Sequence, residues 1–212
     1  MAIVIPSGTF LHIPKCGGSW AIQAMSAAGL NPQVEPAGCQ HAIAATDGRF
    51  VFTFVRHPVS WYPSFWKFRW HCATLQGGSI EDHLRQYATQ ADESIDECLV
   101  DRHGHPNAFA NFVEACMVRH PGFLSHKYSL YTSKAHFVGR QESLRDDLLI
   151  ALRVAGAVFD SSAIRTVPKA NVASERFPAE YPAGLANLVL RAESAAVEQF
   201  YGSALAGCTR AA

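Results

Sequence analysis

The sequence has neither an excess of one charge nor a long apolar segment. Of its 212 residues, 18 are Lys or Arg and 18 are Asp or Glu. This balance argues against a dominant interaction with nucleic acid or with an anionic membrane, so an anion site has to come from locally placed cations. No apolar run reaches the roughly 20 residues that a transmembrane helix needs. No nucleic-acid or membrane partner is therefore expected.

Signals for export, for a disulfide framework and for a structural metal are also missing. The N-terminal MAIVIPSGTF lacks a basic region followed by a long apolar stretch, so no signal peptide is predicted. The six cysteines form no CxxC pair and are predicted to be free thiols in a reducing compartment. Three pairs of closely spaced Cys and His residues lack the spacing of a structural zinc site: Cys39/His41, His71/Cys72 and His103/His105. We expect a cytoplasmic protein of bacterial or viral origin, or a domain trimmed from a larger one.

The order of apolar segments predicts the fold class. Short apolar runs at residues 9–13, 49–55 and 135–139 predict strands. Helices are predicted from an N-cap at Ser19 to a stop at Gly29, from an N-cap at Ser60 over 61–70, over 142–156 and over 183–201. Recurring strand–loop–helix units predict an α/β fold with a central parallel sheet flanked by helices. The length suits a single domain, 1–212, with a mainly helical region at 71–132.

The loop PKCGGS after the first predicted strand has the features of a phosphate-binding loop. A loop between a strand and a helix presents unpaired backbone N–H groups, and Gly17 and Gly18 allow an anion to approach closely. Lys15 adds a charge and Ser19 a hydroxyl donor. The nucleotide-kinase motif instead places lysine after the glycines, beside a magnesium-binding hydroxyl. The loop therefore predicts an anion site that requires no metal, and a plain Gly-Gly turn with a surface lysine is the alternative.

The second predicted strand delivers another cation, Arg56, to its C-terminal end, where open α/β sheets bind ligands. The planar guanidinium group suits a phosphate because it can donate two parallel hydrogen bonds. Ser64 follows eight residues later in the next helix, and its hydroxyl is predicted to face the same anion. The alternative is that Arg56 pairs with an acid at the sheet edge and Ser64 faces solvent.

These segments resemble motifs of the sulfotransferases that use 3′-phosphoadenosine 5′-phosphosulfate (PAPS). FLHIPKCGGSW is similar to their 5′-phosphosulfate loop, and FTFVRHPVSWYPS is similar to their 3′-phosphate motif. HFVGRQESLRDDL and PKANVAS resemble a third and a fourth block, and the four blocks follow the family's order over residues 9–174. The nearest branch is that of carbohydrate sulfotransferases such as the heparan sulfate 2-O-sulfotransferases.

The resemblance implies a P-loop nucleoside-kinase-like three-layer fold with PAPS over the C-terminal ends of the strands. The 5′ side of PAPS would meet the first loop: Lys15, Cys16, Gly17, Gly18, Ser19 and Trp20. Arg56 and Ser64 would bind the 3′-phosphate, and Arg140 would flank the adenine or the same phosphate. Cys16 and Trp20 depart from the family, which usually has threonine and a small hydroxyl residue there.

Sulfuryl transfer to an alcohol needs a stabilised leaving phosphate and a general base. Lys15 is assigned to the leaving phosphate. His41 is assigned as the base, because the sugar 2-O-sulfotransferases carry their catalytic histidine in a similar place, and Glu35 is an alternative. His12 is interpreted as mainly structural, with a substrate contact as the second reading. Trp66 and Trp70 are interpreted as core packing or as a wall that stacks on the acceptor.

The sequence thus predicts a sulfotransferase with PAPS as donor and no metal requirement. The acceptor is a hydroxyl group of a carbohydrate or of a small alcohol or phenol, and it is expected to meet residues 71–132, which match no family block. Two alternatives stay open: an ATP-dependent kinase of the P-loop class, and an inactive relative that binds a nucleotide or a glycan.

Overall fold

The computed structural model has an α/β architecture and describes residues 1–34, 48–90, 93–168 and 176–202. Its strands are β1 (Ala2–Ile5), β2 (Gly8–Leu11), β3 (Gln33–Val34), β4 (Phe50–Val55) and β5 (Phe137–Arg140). Its α-helices are α1 (Gly18–Ala27), α2 (Pro58–Leu75), α3 (Ile80–Gln90), α4 (Phe109–Arg119), α5 (Phe123–Thr132), α6 (Leu144–Val154), α7 (Ser161–Thr166), α8 (Leu185–Ala192) and α9 (Ser194–Tyr201). Short 3₁₀ helices cover Ser94–Leu99 and Gln141–Ser143.

The chain divides into two compact units. The sheet unit comprises Met1–His57 and Lys127–Val172, and the helical unit comprises Pro58–His126 and Ala173–Ala212. The described residues within 71–132 are mainly helical and include α3, α4 and α5. No helix in the described part of the chain combines the length and the apolarity that crossing a bilayer requires.

The five strands form one mixed sheet in the order β3-β1-β2-β4-β5. The prediction of a parallel sheet is confirmed for β2, β4 and β5. It is wrong for the other edge, where β1 pairs antiparallel with both β2 and β3. For β1 and β2 the reason is the two-residue turn at Pro6 and Ser7, since so short a connection can only join antiparallel strands.

Both faces of the sheet are buried. On one face, apolar side chains of β1, β2 and β4 pack against α1, α6 and α7, and the phenyl rings of Phe10 and Phe52 stack with centroids 5.3 Å apart. The residues that alternate with them, such as Leu11, Val51 and Val55, are buried as well. Burial on both faces explains why β4 is apolar almost throughout.

The structure corrects three of the predicted helices, including the one predicted to end at residue 70, which continues to Leu75. Gly17, not Ser19, is the N-cap of α1, because Gly17 adopts the left-handed conformation in which the chain enters the helix. Similarly, α2 begins at Pro58 rather than after Ser60, so Pro63 lies beyond its first turn. The single helix predicted over 183–201 is broken at Glu193 into α8 and α9. The stop at Gly29 is confirmed: its N–H bonds to Ser26 O at 3.1 Å and the N–H of Leu30 bonds to Met25 O at 3.0 Å.

The helix break in the helical unit is explained by a buried carboxylate. Glu193 is fully buried and accepts the hydroxyl of Tyr62 at 2.6 Å. It also accepts the backbone N–H groups of Leu124 at 3.1 Å and Ser125 at 2.8 Å, and the Ser125 hydroxyl at 2.7 Å. These N–H groups belong to the first turn of α5, where an anion is favoured by the unpaired amides and the helix dipole. Glu193 therefore caps α5 from a distant part of the chain.

We predict that Glu193→Ala destabilises the protein by about 3 kcal/mol or more, because it leaves buried donors on Tyr62 and α5 without an acceptor. Glu193→Gln keeps one acceptor oxygen and is expected to cost less. Chemical denaturation measures both free energies of unfolding. Glu198→Ala, an exposed change on α9, serves as the control and is expected to stay within about 0.5 kcal/mol of wild type. Equal losses in the Glu193→Ala and Glu198→Ala variants contradict the capping role.

Candidate functional site

In the loop after β2, the backbone angle φ alternates between positive and negative values. Lys15 has φ 66° and Gly17 has φ 87°, whereas Cys16 between them is not among the residues with positive φ. A residue with a β-carbon seldom adopts the conformation of Lys15, so the surrounding structure holds this turn in place. Alternation of this kind turns successive N–H groups toward one side, which is how backbone anion-binding concavities form.

The loop runs directly into the N-terminus of α1. The first backbone hydrogen bond of the helix runs from the N–H of Ala21 to Gly17 O, at 3.1 Å. The amides of Gly18, Ser19 and Trp20 thus precede the first helical bond and have no carbonyl of the helix to bind. The side chain of Ser19 is exposed at this end. Unpaired amides, a helix dipole and a hydroxyl together favour an anion.

Gly18 is required because the imidazole ring of His12 fills the space that a side chain would occupy. A β-carbon at Gly18 would overlap the ring. Burial, followed by the N-terminal ammonium group and Lys15, lowers the pKa of His12 to about 4. The ring is therefore neutral at neutral pH and a weaker base than a histidine with a pKa near 7. This placement supports the structural interpretation of His12.

A hydroxyl group joins the first loop to the end of β4. Tyr128 donates its hydroxyl hydrogen to Arg56 O at 2.7 Å and accepts the Arg56 N–H at 3.1 Å. The thiol of Cys16 lies 3.7 Å from the same oxygen. Cys16 is buried, and burial raises its pKa to about 12, so it stays a neutral thiol. Its side chain is held inside the protein by Tyr128 and is not presented as a ligand on the loop surface.

The cations predicted for the site lie at the C-terminal edge of the parallel strands. Arg56 follows β4, and its Nη1 donates to the backbone oxygen of Lys15 at 3.3 Å. Arg140 is the last residue of β5 and pairs in register with Val55, which immediately precedes Arg56. The structure thus brings the loop of Lys15, the side chain of Arg56 and the end of β5 to one edge of the sheet.

Two charged groups at this edge were not predicted. Lys127, only 8% exposed, lies close to Cys16 and to the N-terminal ammonium group. Burial, followed by the charge of Lys127, lowers the pKa of that ammonium group. Glu142 accepts the backbone N–H of His57 at 2.8 Å. Neither Lys127 nor Tyr128 follows a predicted strand, so the strand-end pattern gave no signal for them. For Glu142 the sequence did contain a signal, because this residue belongs to HFVGRQESLRDDL, the third segment that resembles the sulfotransferases.

The remaining predicted residues lie elsewhere. Trp20 belongs to the core of the sheet unit, and the guanidinium carbon of Arg145 lies 5.7 Å from the centroid of its ring. Ser64 lies on α2 in the helical unit with a half-buried side chain, and its role stays a prediction. His41, Glu35 and most of the fourth family-like block lie outside the described residues.

Trp66 and Trp70 form part of the aromatic core of the helical unit. The indole N–H of Trp66 donates to Asn107 O at 3.2 Å, and its ring packs against Trp70 and Phe109. Trp70 in turn lies against Phe177. These contacts support core packing over an acceptor wall for Trp66, which is 4% exposed. An open cavity of about 570 Å³ beside α4 in the same unit is lined by none of the loop residues and is a separate feature.

Comparison of this chain with protein-family models, with curated proteins and with solved structures yields no match. The chemistry of the site therefore has to be inferred from its own geometry.

We predict that the cost of Gly18→Ala depends on the ring of His12. The single substitution is expected to destabilise the protein by about 2 kcal/mol, because a tightly packed ring has to move. In the background of His12→Ala the ring is gone, so the cost of Gly18→Ala should fall to about zero. Thermal or chemical unfolding of all four proteins gives the coupling energy, for which about 1–3 kcal/mol is expected.

The matched control for this cycle is Gly29→Ala, since nothing lies within 4 Å of a β-carbon at that position. Its cost arises from the positive φ of 83° alone and should not change with His12→Ala. Additive costs of Gly18→Ala and His12→Ala would contradict the packing described here.

Proposed function

We propose that this chain is a sulfotransferase that uses PAPS and transfers its sulfuryl group to a hydroxyl acceptor. The observation that carries the proposal is the hydrogen bond from the guanidinium group of Arg56 to the backbone oxygen of Lys15, which places both residues at the C-terminal edge of three parallel strands. Two cations beside an amide-rich helix N-terminus suit a ligand with phosphate groups at separate positions. The resemblance of both segments to PAPS motifs supports PAPS as that ligand.

The arrangement also supports the nucleoside-kinase-like fold as the finer assignment. In β2 and β4, a buried parallel strand leads through a loop directly into a helix, and the loop carries the cation. Ligands of such sheets bind at the carboxyl ends of the strands. The antiparallel strands β1 and β3 lie beside β2 on the side of the sheet opposite β4 and β5. They therefore leave the C-terminal ends of the three parallel strands unchanged as a binding place.

The donor supplies an activated sulfuryl group attached to a good leaving phosphate. The backbone amides at the start of α1 and the hydroxyl of Ser19 would hold the 5′ end of the donor, and Lys15 would stabilise negative charge on the leaving phosphate. The acceptor oxygen forms a bond to sulfur as the bond from sulfur to the bridging oxygen breaks. His41 is proposed to take the acceptor proton, and Arg56 to bind the 3′-phosphate. These protein groups would bind PAPS without a metal ion.

The loop does not favour the alternative of an ATP-dependent kinase. The position after Lys15 is a buried thiol bound to Tyr128, so it offers no oxygen to Mg²⁺. The alternative of an inactive relative makes the same prediction for nucleotide binding and differs only in turnover. Binding and turnover are therefore tested separately.

We predict that 3′-phosphoadenosine 5′-phosphate raises the melting temperature without Mg²⁺, and that Arg56 reads the 3′-phosphate. A ligand present at 100 times its Kd stabilises a protein by about 2.7 kcal/mol. Arg56→Ala should weaken this ligand by about 10–100-fold, as expected for a lost charge-assisted hydrogen bond. The same variant should leave the affinity for adenosine 5′-phosphate, which has a 3′-hydroxyl, nearly unchanged. Calorimetric titration measures both affinities.

Arg153→Ala is the matched control, because Arg153 is an exposed cation in the last turn of α6. It should affect neither ligand. The proposal fails if Mg-ATP stabilises the protein while the 3′-phosphorylated nucleotide does not. The role of Arg56 fails if its loss weakens both adenosine ligands equally.

We predict that Lys15→Ala and His41→Ala reduce sulfuryl transfer by different routes. Lys15→Ala removes charge stabilisation of the leaving group and should lower kcat by about 10²–10³-fold. His41→Ala should lower kcat by about 10²–10⁴-fold while the affinity for 3′-phosphoadenosine 5′-phosphate stays unchanged. Transfer from isotopically labelled PAPS to a panel of sugars, phenols and alcohols, read by mass spectrometry, supplies the assay. Binding of the nucleotide without transfer to any acceptor favours the inactive relative.

A further inference from the structure

A group of potential metal ligands lies in the helical unit, far along the chain from the anion loop. Glu97 and Cys98 belong to the 3₁₀ helix Ser94–Leu99, and His120 is the C-cap of α4. Their ligand atoms, a carboxylate oxygen, a thiol sulfur and an imidazole nitrogen, all lie within 4.8 Å of one another. His120 Nε2 is 2.9 Å from Glu97 Oε1. Among the described residues, three different kinds of donor therefore converge on one point.

A second thiol adjoins this group. Cys116 lies one helical turn before His120 on α4, and its thiol forms a hydrogen bond with that of Cys98. Both cysteines are buried and free of disulfide bonds. A thiolate is the form of cysteine that binds metals, so the binding of a cation would release the proton of each thiol.

We propose that Cys98, Cys116, His120 and Glu97 bind a Zn²⁺ ion. Two sulfurs, one nitrogen and one carboxylate oxygen are the ligand types of tetrahedral zinc sites. Thiolates and imidazole select zinc over Mg²⁺ and Ca²⁺, which prefer oxygen ligands. This site is separate from the proposed sulfotransferase site and does not depend on that function.

The distances require only small side-chain movements. Zinc bonds of about 2.0–2.3 Å in tetrahedral geometry place neighbouring ligand atoms about 3–4 Å apart. The three donors within 4.8 Å have to approach by about 1 Å. The Cys116 thiol lies outside that group and has to turn from Cys98 toward the shared ion. Cys116 is joined to the C-cap residue His120 by the backbone, because the N–H of His120 donates to Cys116 O at 2.8 Å.

Burial and charge also suit an ion at this place. The thiols lie in the interior, whereas 26% of the His120 side chain and 48% of the Glu97 side chain are exposed, so an ion can enter from solvent. Two thiolates and a carboxylate with Zn²⁺ carry a net charge of −1. Arg119 Nη1 lies 3.7 Å from Glu97 Oε1 and offsets that charge. The ion would link the 3₁₀ helix to the end of α4.

The first test is the zinc content of the untagged full chain. After equilibration with Zn²⁺ under reducing conditions and dialysis into metal-free buffer, mass spectrometry of the metal should find one zinc per chain. Cys98→Ala and His120→Ala should each reduce the content at least tenfold. The matched controls are Cys72→Ala and His71→Ala, which remove the same residue types from α2 outside the group and should retain full zinc. Wild-type protein without stoichiometric zinc overturns the proposal.

The main readout of the second test uses the wild-type chain and does not depend on whether a variant folds. Titration of the wild-type chain with Co²⁺ should produce a thiolate-to-cobalt charge-transfer band in the near ultraviolet and the visible bands of a tetrahedral site, and Zn²⁺ should abolish both. Cys116→Ser should diminish the charge-transfer band, since one of two thiolates is lost, while Cys72→Ala leaves it unchanged. A cobalt spectrum without thiolate bands overturns the proposal. A Cys98–Cys116 disulfide in reduced, zinc-treated protein overturns it as well.

Discussion

The candidate site depends on the hydroxyl group of Tyr128. Its single hydrogen goes to Arg56 O, and its oxygen accepts the Arg56 N–H and lies beside the Cys16 thiol. One phenol thereby fixes the backbone on which Arg56 is mounted and anchors the middle of the loop that follows β2. If the loop and the end of β4 were free to move independently, Lys15 and Arg56 would have no fixed separation. A ligand with two phosphate groups requires such a separation for both ends to bind at once.

A residue with a strained backbone, Lys15, and a glycine, Gly18, both contribute to the conformation of the loop after β2. Lys15 holds a conformation that side chains disfavour, and Gly18 gives up a side chain so that the ring of His12 can fill the space beneath the loop. The buried ring stays neutral because desolvation and two nearby ammonium groups oppose its protonation. A charged histidine there would add repulsion to Lys15, and a side chain at Gly18 would displace the support. The packing of the neutral His12 ring against Gly18 therefore supports the geometry of the loop and also avoids repulsion with Lys15.

Local pattern was sufficient for the three parallel strands and insufficient for contacts between distant segments. Continuous apolar runs indicated β2, β4 and β5, and glycines indicated the ends of α1 and α6. The same reasoning missed β1, a four-residue strand whose partner is set by a turn, and it ran α8 and α9 together because apolar spacing continues across Glu193. Only the donors of Tyr62 and α5 explain that break. Tyr128 was missed for the same reason, since 72 residues separate it from Arg56.

The distribution of charge explains why an anion is the ligand expected at this edge. The whole chain has equal numbers of acidic and basic residues, so it does not attract anions in general. At the C-terminal edge of the parallel strands, however, Lys15, Arg56, Arg140 and Lys127 are accompanied by Glu142, and amides of α1 add the positive end of a helix dipole. Under the proposed function, the phosphate groups at the two ends of the nucleotide would meet positive charge on two different strands. A neutral ligand would gain nothing from this arrangement of charge.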